Sequence, residues 1–180
     1  MVQPYRITQP ATLDGFEVAI AQPGDTEDVM ALLVEIAQWL KSRGSTQWAG
    51  LLEGKDSHHT ADAIRRGDVF VFKRDGEIAG MVLILSNPSQ WDRELWGDKA
   101  FDGDGAVYLH RLAVRRKYAR AGLGRTILNW CTSGIHYPAK TWMRLDCIAD
   151  NSTLNSFYAD NGYVYDGENS GFCMYYKAME

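Results

Sequence analysis

Apolar and polar side chains follow patterns typical of one strand and two helices in the first part of the chain. Residues 16–21 alternate briefly between apolar and polar side chains, which predicts a strand. Apolar residues recur at helical spacing over residues 29–40, which predicts a helix that runs to about Arg43 and stops at Gly44. A short helix is expected over residues 60–66.

A β-hairpin and a long loop are predicted next. The β-rich residues 68–73 and 77–86 flank the pair Asp75-Gly76, which favours a tight turn because glycine readily adopts a positive φ. Residues 87–105 contain a proline, two tryptophans and mixed charges. We expect this segment to be a loop of the kind that often covers a functional site.

The second half of the chain is more regular and completes an α/β pattern. Its predicted elements are a strand over 106–114, a helix from Gly122 to about His136, a strand over 141–148, a helix over 152–161, and a final pair of strands over 163–165 and 172–177. No repeat or linker interrupts the pattern. We therefore predict one domain over residues 1–180, with three layers (α/β/α) and a mixed, mostly antiparallel sheet flanked by helices.

Composition and charge narrow the classes of function. The formal net charge of −4 disfavours nucleic acids and anionic membrane surfaces as partners, because both attract basic proteins. No apolar run is long enough to span a membrane, and no signal-peptide pattern is present. We expect a cytoplasmic protein that acts on a small-molecule or peptide partner.

The cysteines and histidines give no pattern of metal ligands. Cys131, Cys147 and Cys173 are widely spaced in apolar stretches, which favours buried free thiols over a disulfide framework. His58 and His59 have no third ligand at a convincing spacing. No metal is predicted.

The strongest chemical signal is a basic, glycine-containing turn between the strand 106–114 and the helix that follows it. Free backbone N–H groups and the positive end of a helix dipole converge at such a junction, which suits a phosphate group. Gly122 and Gly124 allow the backbone to approach that group because neither carries a Cβ. The glycine patterns of P-loop and dinucleotide-binding folds are absent. The basic residues of the segment are Arg115, Arg116, Lys117, Arg120 and Arg125.

This segment resembles the acetyl-CoA signature of the GNAT superfamily of N-acetyltransferases. Residues 112–114 match the Leu-x-Val that ends the family's strand, and residues 119–124 match its Gln/Arg-x-x-Gly-x-Gly/Ala turn. Ala119 stands in the leading Gln/Arg position, and Arg120 is the neighbouring polar alternative. By this resemblance acetyl-CoA is the cosubstrate, and its binding residues are Leu112, Ala113, Val114, Ala119, Arg120, Ala121, Gly122, Leu123, Gly124, Arg125, Asn151 and Tyr158.

A second match covers residues 151–163, which resemble the family's Asn-x-x-x-x-x-x-Tyr-x-x-x-Gly-Phe/Tyr segment. The resemblance implies that Asn151 contacts the pantetheine arm and that Tyr158 is the general acid beside the CoA sulfur. Without the resemblance, Asn151 also fits the N-cap of a helix. Tyr158 also fits a packing residue, because it lies one helical turn after Leu154 on the same face.

The general base and the acceptor pocket are less clearly marked. His110 and Asp146 lie on predicted strands and are the candidates for the base, because each can accept a proton near neutral pH when its environment is suitable. Either also fits a polar packing role. The resemblance places the amine acceptor near the N-terminal helices and the loop 87–105, where aromatic side chains can surround a cation. The candidates there are Trp39, Gln47, Trp48, Trp91 and Trp96, although Trp39 also fits the apolar face of its helix.

Together these features predict a transferase that moves the acetyl group of acetyl-CoA to a primary amine by direct attack in a ternary complex. Two alternatives remain open at this point. One is a noncatalytic acyl-CoA-binding module or sensor, and the other is an acyltransferase that uses a different acyl donor. The identity of the acceptor and the oligomeric state, a homodimer included, are not determined by the sequence.

Overall fold

The computed structural model describes residues 2–8 and 12–180. Its strands are β1 (Arg6–Ile7), β2 (Thr12–Leu13), β3 (Phe16–Ile20), β4 (Val69–Arg74), β5 (Glu77–Leu85), β6 (Ala106–Val114), β7 (Ile135–His136), β8 (Trp142–Ile148), β9 (Val164–Asn169) and β10 (Phe172–Ala178). Its α-helices are α1 (Thr26–Ser42), α2 (Thr60–Arg66), α3 (Gln90–Trp96), α4 (Leu123–Ser133) and α5 (Ser152–Asp160).

An eight-stranded sheet has the order β2-β3-β4-β5-β6-β8-β10-β9, and β1 pairs separately with β7. Strands β6 and β8 run parallel. The pairs β2–β3, β3–β4, β4–β5, β8–β10 and β9–β10 are antiparallel. The sheet is therefore mixed and mostly antiparallel with flanking helices, which confirms the predicted α/β fold class. No helix in the described part of the chain is long and apolar enough to cross a membrane.

The described residues form two compact units. The first unit lies within residues 10–83 and 111–127, and the second unit lies within residues 1–9, 84–110 and 128–180. Strands β5 and β6 each contribute residues to both units. The prediction of a single domain stays a prediction.

The core of the first unit confirms the periodicity seen in the sequence. The apolar residues of α1 that recur at helical spacing are buried, and so are the residues of β4 from Val69 to Phe72. Full burial of a large apolar side chain stabilises the fold by about 1.5–3 kcal/mol. The turn between β4 and β5 is also as predicted, because Asp75 and Gly76 both have positive φ, at 52° and 79°.

Gly80 on β5 is closely packed by side chains and backbone of the first unit. A Cβ at this position would lie 2.8 Å from Ile127 Cδ1, 3.1 Å from Leu123 Cδ2 and 3.1 Å from the carbonyl oxygen of Ala113. The start of α4 therefore packs directly onto a strand position that has no side chain. This contact holds the first turn of α4 against β5.

The core of the second unit contains several aromatic and sulfur-containing side chains. Tyr108, Trp130 and Tyr158 are buried in it. All three cysteines are buried and free, as predicted.

The predicted loop over residues 87–105 is wrong in part, because it contains α3 and a short 3-10 helix over Gly97–Lys99. Ser89 caps α3 by accepting a hydrogen bond from the backbone N–H of Asp92, and Asp92 accepts one in return from the backbone N–H of Ser89. This reciprocal cap stabilises the first turn of a helix. It explains why a segment rich in loop-forming residues becomes helical.

The helix predicted from Gly122 to about His136 is shorter in the structure. It ends at Ser133, and Ile135–His136 pair with Ile7 and Arg6 of β1. A Cβ at Gly134 would lie 2.1 Å from the Trp130 ring, so the chain leaves the helix at a residue without a side chain.

We expect Gly80→Ala to lower the free energy of unfolding by about 1–3 kcal/mol, because the added methyl group overpacks the contact with α4. Urea denaturation of the parent and the variant measures the change. Gly24→Ala is the matched control, since Gly24 lacks a positive φ and its added Cβ would meet nothing within 4 Å. Equal changes in both variants would contradict the role of Gly80.

Candidate functional site

The basic turn in the first unit begins where β6 ends at Val114. A short 3-10 helix over Arg116–Tyr118 follows, and α4 begins at Leu123. Gly122 has a φ of 74°, and a Cβ added to it would meet nothing within 4 Å. Glycine is favoured here by the backbone conformation, and the surface of the turn stays open to a ligand.

Buried contacts hold the first turn of α4 in place. Leu123 and Ile127 are fully buried, while Ala121 and Gly122 are exposed. Thr126 donates a backbone hydrogen bond to the carbonyl of Gly122 at 3.1 Å. The N–H groups of the first helical turn have no acceptors within the helix, so an exposed first turn offers several donors to an anion.

Arg115 has a structural role in this turn. Its Nη1 pairs with Glu35 Oε1 at 3.1 Å, and its Nε donates to the carbonyl of Ile78 at 3.1 Å. The backbone N–H of Arg116 donates to the same Glu35 carboxylate at 3.0 Å. These contacts tie the turn to α1 and β5.

Two further basic side chains of the turn also have interaction partners within the first unit. The Arg116 guanidinium lies 3.8 Å from the centroid of the Trp39 ring. Lys117 pairs with Glu77 at 2.8 Å, and Tyr118 donates a hydrogen bond to the same carboxylate. The hydrogen bonds from Lys117 and Tyr118 lower the pKa of Glu77.

Arg120 and Arg125 differ from these three residues. Both are exposed, and neither makes an ion pair or side-chain hydrogen bond within residues 2–8 and 12–180. Of the five basic residues of this segment, these two have no partner for their charge among the described residues. Arg120 lies directly after Ala119, the position that lacks the family's polar residue.

A charged pair next to the Leu112–Val114 segment was not found from the sequence. Arg111 has a φ of 54° and is buried; its Nη2 lies 3.4 Å from Asp56 Oδ1, and its guanidinium lies 5.1 Å from the Trp48 ring centroid. Burial lowers the pKa of Arg111, and the neighbouring Asp56 opposes that shift. The pair connects the segment around Trp48 to β6, and nothing in the sequence pattern marks the two partners.

A pocket of about 460 Å³ lies beside Asp56 in the first unit. Met30 of α1 and Thr60 of α2 line it, together with His59. Burial pushes the pKa of Asp56 up, but hydrogen bonds from Thr60 and the charge of Arg111 outweigh it and hold the pKa below the usual value. The pocket therefore carries an ionised carboxylate.

The α5 segment of the second unit contains both residues of the second sequence match. Asn151 is the N-cap of α5, because its Oδ1 accepts a hydrogen bond from the backbone N–H of Leu154 at 3.0 Å. Tyr158 is buried, and its ring packs 6.0 Å from the rings of Tyr163 and Tyr175. Burial raises the pKa of Tyr158, and nearby Cys147 and Asp146 raise it further. The phenol therefore stays protonated, as a proton donor must.

Both candidate bases lie in one cluster of the second unit, which we call the Asp–His–Asp cluster and which consists of Asp92, His110 and Asp146. One ligand atom from each residue lies within 4.8 Å of the other two. His110 Nε2 is 3.0 Å from Asp92 Oδ2, and both side chains are almost fully buried. Asp92 is not among the sequence-based candidates because it lies in the segment predicted to be a loop, although Ser89-x-x-Asp92 is a capping pattern.

Asp146 has the pKa best suited to accept a proton near neutral pH. Burial raises its pKa to about 6, and the negative charge of Asp92 raises it while His110 and a hydrogen bond from Trp91 lower it. Trp91 Nε1 donates to Asp146 Oδ2 at 3.3 Å. Two carboxylates and an imidazole are also ligand types for divalent cations, so the absence of a metal stays a prediction.

The four tryptophans predicted near the acceptor have different environments. Trp39 and Trp48 are half-buried in the first unit and lie against arginines. Trp91 is half-buried in the second unit, with its ring 4.9 Å from that of Phe172. Trp96 is 5% exposed in an apolar cluster, which favours packing over contact with a substrate.

Comparisons of sequence agree with these features. A family model described as an acetyltransferase (GNAT) domain matches residues 65–165. The chain is also 47% identical over 177 residues to "Uncharacterized N-acetyltransferase YesJ" of Bacillus subtilis (strain 168), and the match covers 97% of each chain.

Solved structures show the same fold. A GNAT-family acetyltransferase from Listeria monocytogenes has a TM-score of 0.74 and 34% identity, with 91% of this chain and 95% of that chain covered. The PaiA N-acetyltransferase of Thermoplasma acidophilum, solved in complex with coenzyme A, shares the fold with a TM-score of 0.67 at 17% identity, over 91% of this chain and 98% of that chain. From the matched domain and the close relatives, the chain belongs to the GNAT superfamily of N-acetyltransferases.

Proposed function

We propose that this enzyme transfers the acetyl group of acetyl-CoA to a primary amine of a small molecule or peptide, by direct attack in a ternary complex. The observation that carries the proposal is the turn of residues 119–124, in which residues 119–122 are exposed and the buried Leu123 begins α4 directly after them. The fold shared with the Thermoplasma enzyme, whose structure contains coenzyme A, supports a CoA ester as the donor.

In this proposal the turn binds the pyrophosphate of CoA through backbone N–H groups and through Arg120 and Arg125. The N–H groups of the first turn of α4 lack helical acceptors, and the helix dipole is positive at that end. Gly122 leaves the surface open. The backbone of residues 112–114 binds the pantetheine arm, with Asn151 as a further contact.

The attacking amine must lose a proton, and we assign its removal to the Asp–His–Asp cluster. Asp146 has a pKa of about 6, so it is ionised at neutral pH and still basic enough to accept a proton. His110 is the second acceptor of the cluster. Because the cluster is largely buried, its charges act in a low dielectric and interact strongly.

Tyr158 is the proposed general acid for the departing CoA sulfur. Its raised pKa keeps the hydroxyl protonated, and its buried ring holds that hydroxyl in a fixed position. A phenol that donates to the sulfur stabilises the negative charge that develops as the thioester breaks.

The electrostatics of the first unit support a cationic acceptor. The pocket beside Asp56 contains an ionised carboxylate, and Asp62 also lines it. Asp56 is paired with Arg111, whose guanidinium lies 5.1 Å from the Trp48 ring centroid. A protonated amine is attracted to the carboxylates that line the pocket.

A panel of amines screened for free-thiol release from acetyl-CoA tests the proposal. Polyamines, amino acids, peptides and aminoglycosides form the panel, and a longer acyl-CoA is the matched alternative donor. We expect thiol release that requires both acetyl-CoA and one class of amine. Binding of CoA without turnover of any amine would identify a sensor, and preference for the longer donor would identify a different acyltransferase.

We expect Arg120→Ala and Arg125→Ala each to weaken CoA binding by about 5- to 20-fold, because each change removes a charge-assisted contact to phosphate. The loss should shrink at high salt, since salt screens exposed charges. Calorimetric titration with CoA measures both effects.

Lys117→Ala is the matched control for the arginine variants. Lys117 is an exposed cation of the same turn, but Glu77 already neutralises it. Its removal should leave CoA affinity nearly unchanged. A loss as large as that of the arginine variants would show that the turn acts only through its general positive charge.

We expect Tyr158→Phe to lower kcat by about 100-fold, at the lower end of general acid effects, because a thiolate is itself a tolerable leaving group. CoA affinity should change little. Tyr163→Phe is the control, since its buried hydroxyl on a neighbouring ring has no hydrogen-bond partner in the described residues. Similar values of kcat for the two variants, with chemistry rate-limiting, would show that Tyr158 is a packing residue and not the general acid.

We expect protonation of Asp146 near pH 6 to lower kcat/KM for the amine, because the Asp–His–Asp cluster accepts a proton less readily when this carboxylate is neutral. Trp91→Phe removes the N–H that stabilises the carboxylate and keeps the ring against Phe172. The fall should then begin at a higher pH. An unchanged pH–rate profile in Trp91→Phe would argue against Asp146.

A further inference from the structure

Asp92 is the buried carboxylate of the Asp–His–Asp cluster that is not itself a candidate base. It lies at the start of α3 and is 1% exposed. Its Oδ2 accepts hydrogen bonds from the backbone N–H and the hydroxyl of Ser89, both at 2.9 Å, and lies 3.0 Å from His110 Nε2. The helix cap requires only the contacts with Ser89. The contact with His110 joins the helix to the middle of β6.

We propose that Asp92 is the positioning residue of His110, holding the imidazole through Nε2 and stabilising the imidazolium that forms when His110 takes the proton of the attacking amine. The proposal rests on the proposed function, because it needs an amine that loses a proton. One proton moves from the amine nitrogen to the imidazole. Asp92 remains a carboxylate throughout and does not touch the reacting atoms.

The charge state of Asp92 sets the direction of this hydrogen bond. Burial pushes its pKa up, but the charge of His110 and the hydrogen bonds from His110 and Ser89 outweigh burial and hold the pKa below the usual value. Asp92 is therefore ionised near neutral pH and can only accept hydrogen bonds. His110 Nε2 must be the donor, which fixes the tautomer and the plane of the ring.

Burial strengthens the electrostatic interaction between His110 and Asp92. The side chains of His110 and Asp92 are 5% and 1% exposed, so water screens their interaction little. A buried carboxylate is costly unless it is paired. An imidazolium beside Asp92 is therefore favoured over one in an apolar site, and His110 becomes a better proton acceptor.

The protonation of Asp146 is coupled to the charges of His110 and Asp92. The titratable groups that interact with it are His110 on β6, Asp92 on α3, Cys147 on β8 and Tyr158 on α5. The negative charge of Asp92 makes it harder to remove a proton from either His110 or Asp146. Loss of that charge should therefore shift both deprotonations to lower pH.

Asp92→Asn tests the proposal, with Ser89→Ala as the matched control. Asparagine has nearly the same shape as aspartate but no charge, whereas Ser89→Ala weakens the same helix cap without touching His110. Two quantities are measured in each variant. One is the pH at which the His110 imidazole loses its proton, followed by NMR, and the other is the pH dependence of kcat/KM.

We expect Asp92→Asn to lower the midpoint of the His110 titration by about one pH unit. The acidic limb of kcat/KM should move in the same direction, and its plateau should fall by about 10- to 100-fold. Ser89→Ala should lower the Tm and leave both pH midpoints where they are in the parent. If Asp92→Asn matches Ser89→Ala in both midpoints, Asp92 is only a helix cap and the proposal is overturned.

The NMR titration separates this proposal from the acetyl-transfer reaction, because it requires no acceptor. A parent protein that acetylates no amine would overturn the proposed function, while the titration would still decide the link between Asp92 and His110. If Asp92→Asn does not fold, the His110 titration of the parent protein tests the proposal by itself. A parent midpoint below that of His110 in the urea-unfolded chain would overturn the proposal, because an imidazolium stabilised by Asp92 must keep its proton to a higher pH than in the unfolded chain.

Discussion

The close packing of α4 on Gly80 is the constraint on which the rest of the first unit depends. Leu123 and Ile127 reach the backbone of β5 because no Cβ separates them from it. The helix can therefore begin immediately after the turn, with its first N–H groups at an exposed surface. A side chain at Gly80 would push α4 outward and move the donors that an anion needs.

In the turn before α4, some basic side chains pair with carboxylates and others in the described part of the chain do not. Glu35 and Glu77 neutralise Arg115 and Lys117, and these pairs stabilise the turn. The positive charges that have no such partner among the described residues belong to Arg120 and Arg125, which are exposed and lie close to Gly122 and Gly124 in the chain. A net charge of −4 is therefore compatible with phosphate binding, because the local arrangement of charge decides where an anion binds.

The second unit differs because its carboxylates are less exposed: Asp92 is buried and Asp146 is half-buried. Burial alone would favour neutral carboxyl groups, as the raised pKa of Asp146 shows. Asp92 stays ionised because it combines a helix cap with the contact to His110. One side chain thus links the start of α3 to β6.

The sequence by itself determined the elements whose signals are local. The buried face of α1, the Asp75-Gly76 turn and the glycine turn before α4 all follow from spacing and backbone preference within a few residues. The tertiary structure decided the rest. The Asp92–His110 contact joins residues 18 positions apart, and Arg115 meets Glu35 across 80 positions. No local pattern encodes such partners, because burial and charge pairing arise only when distant segments pack together.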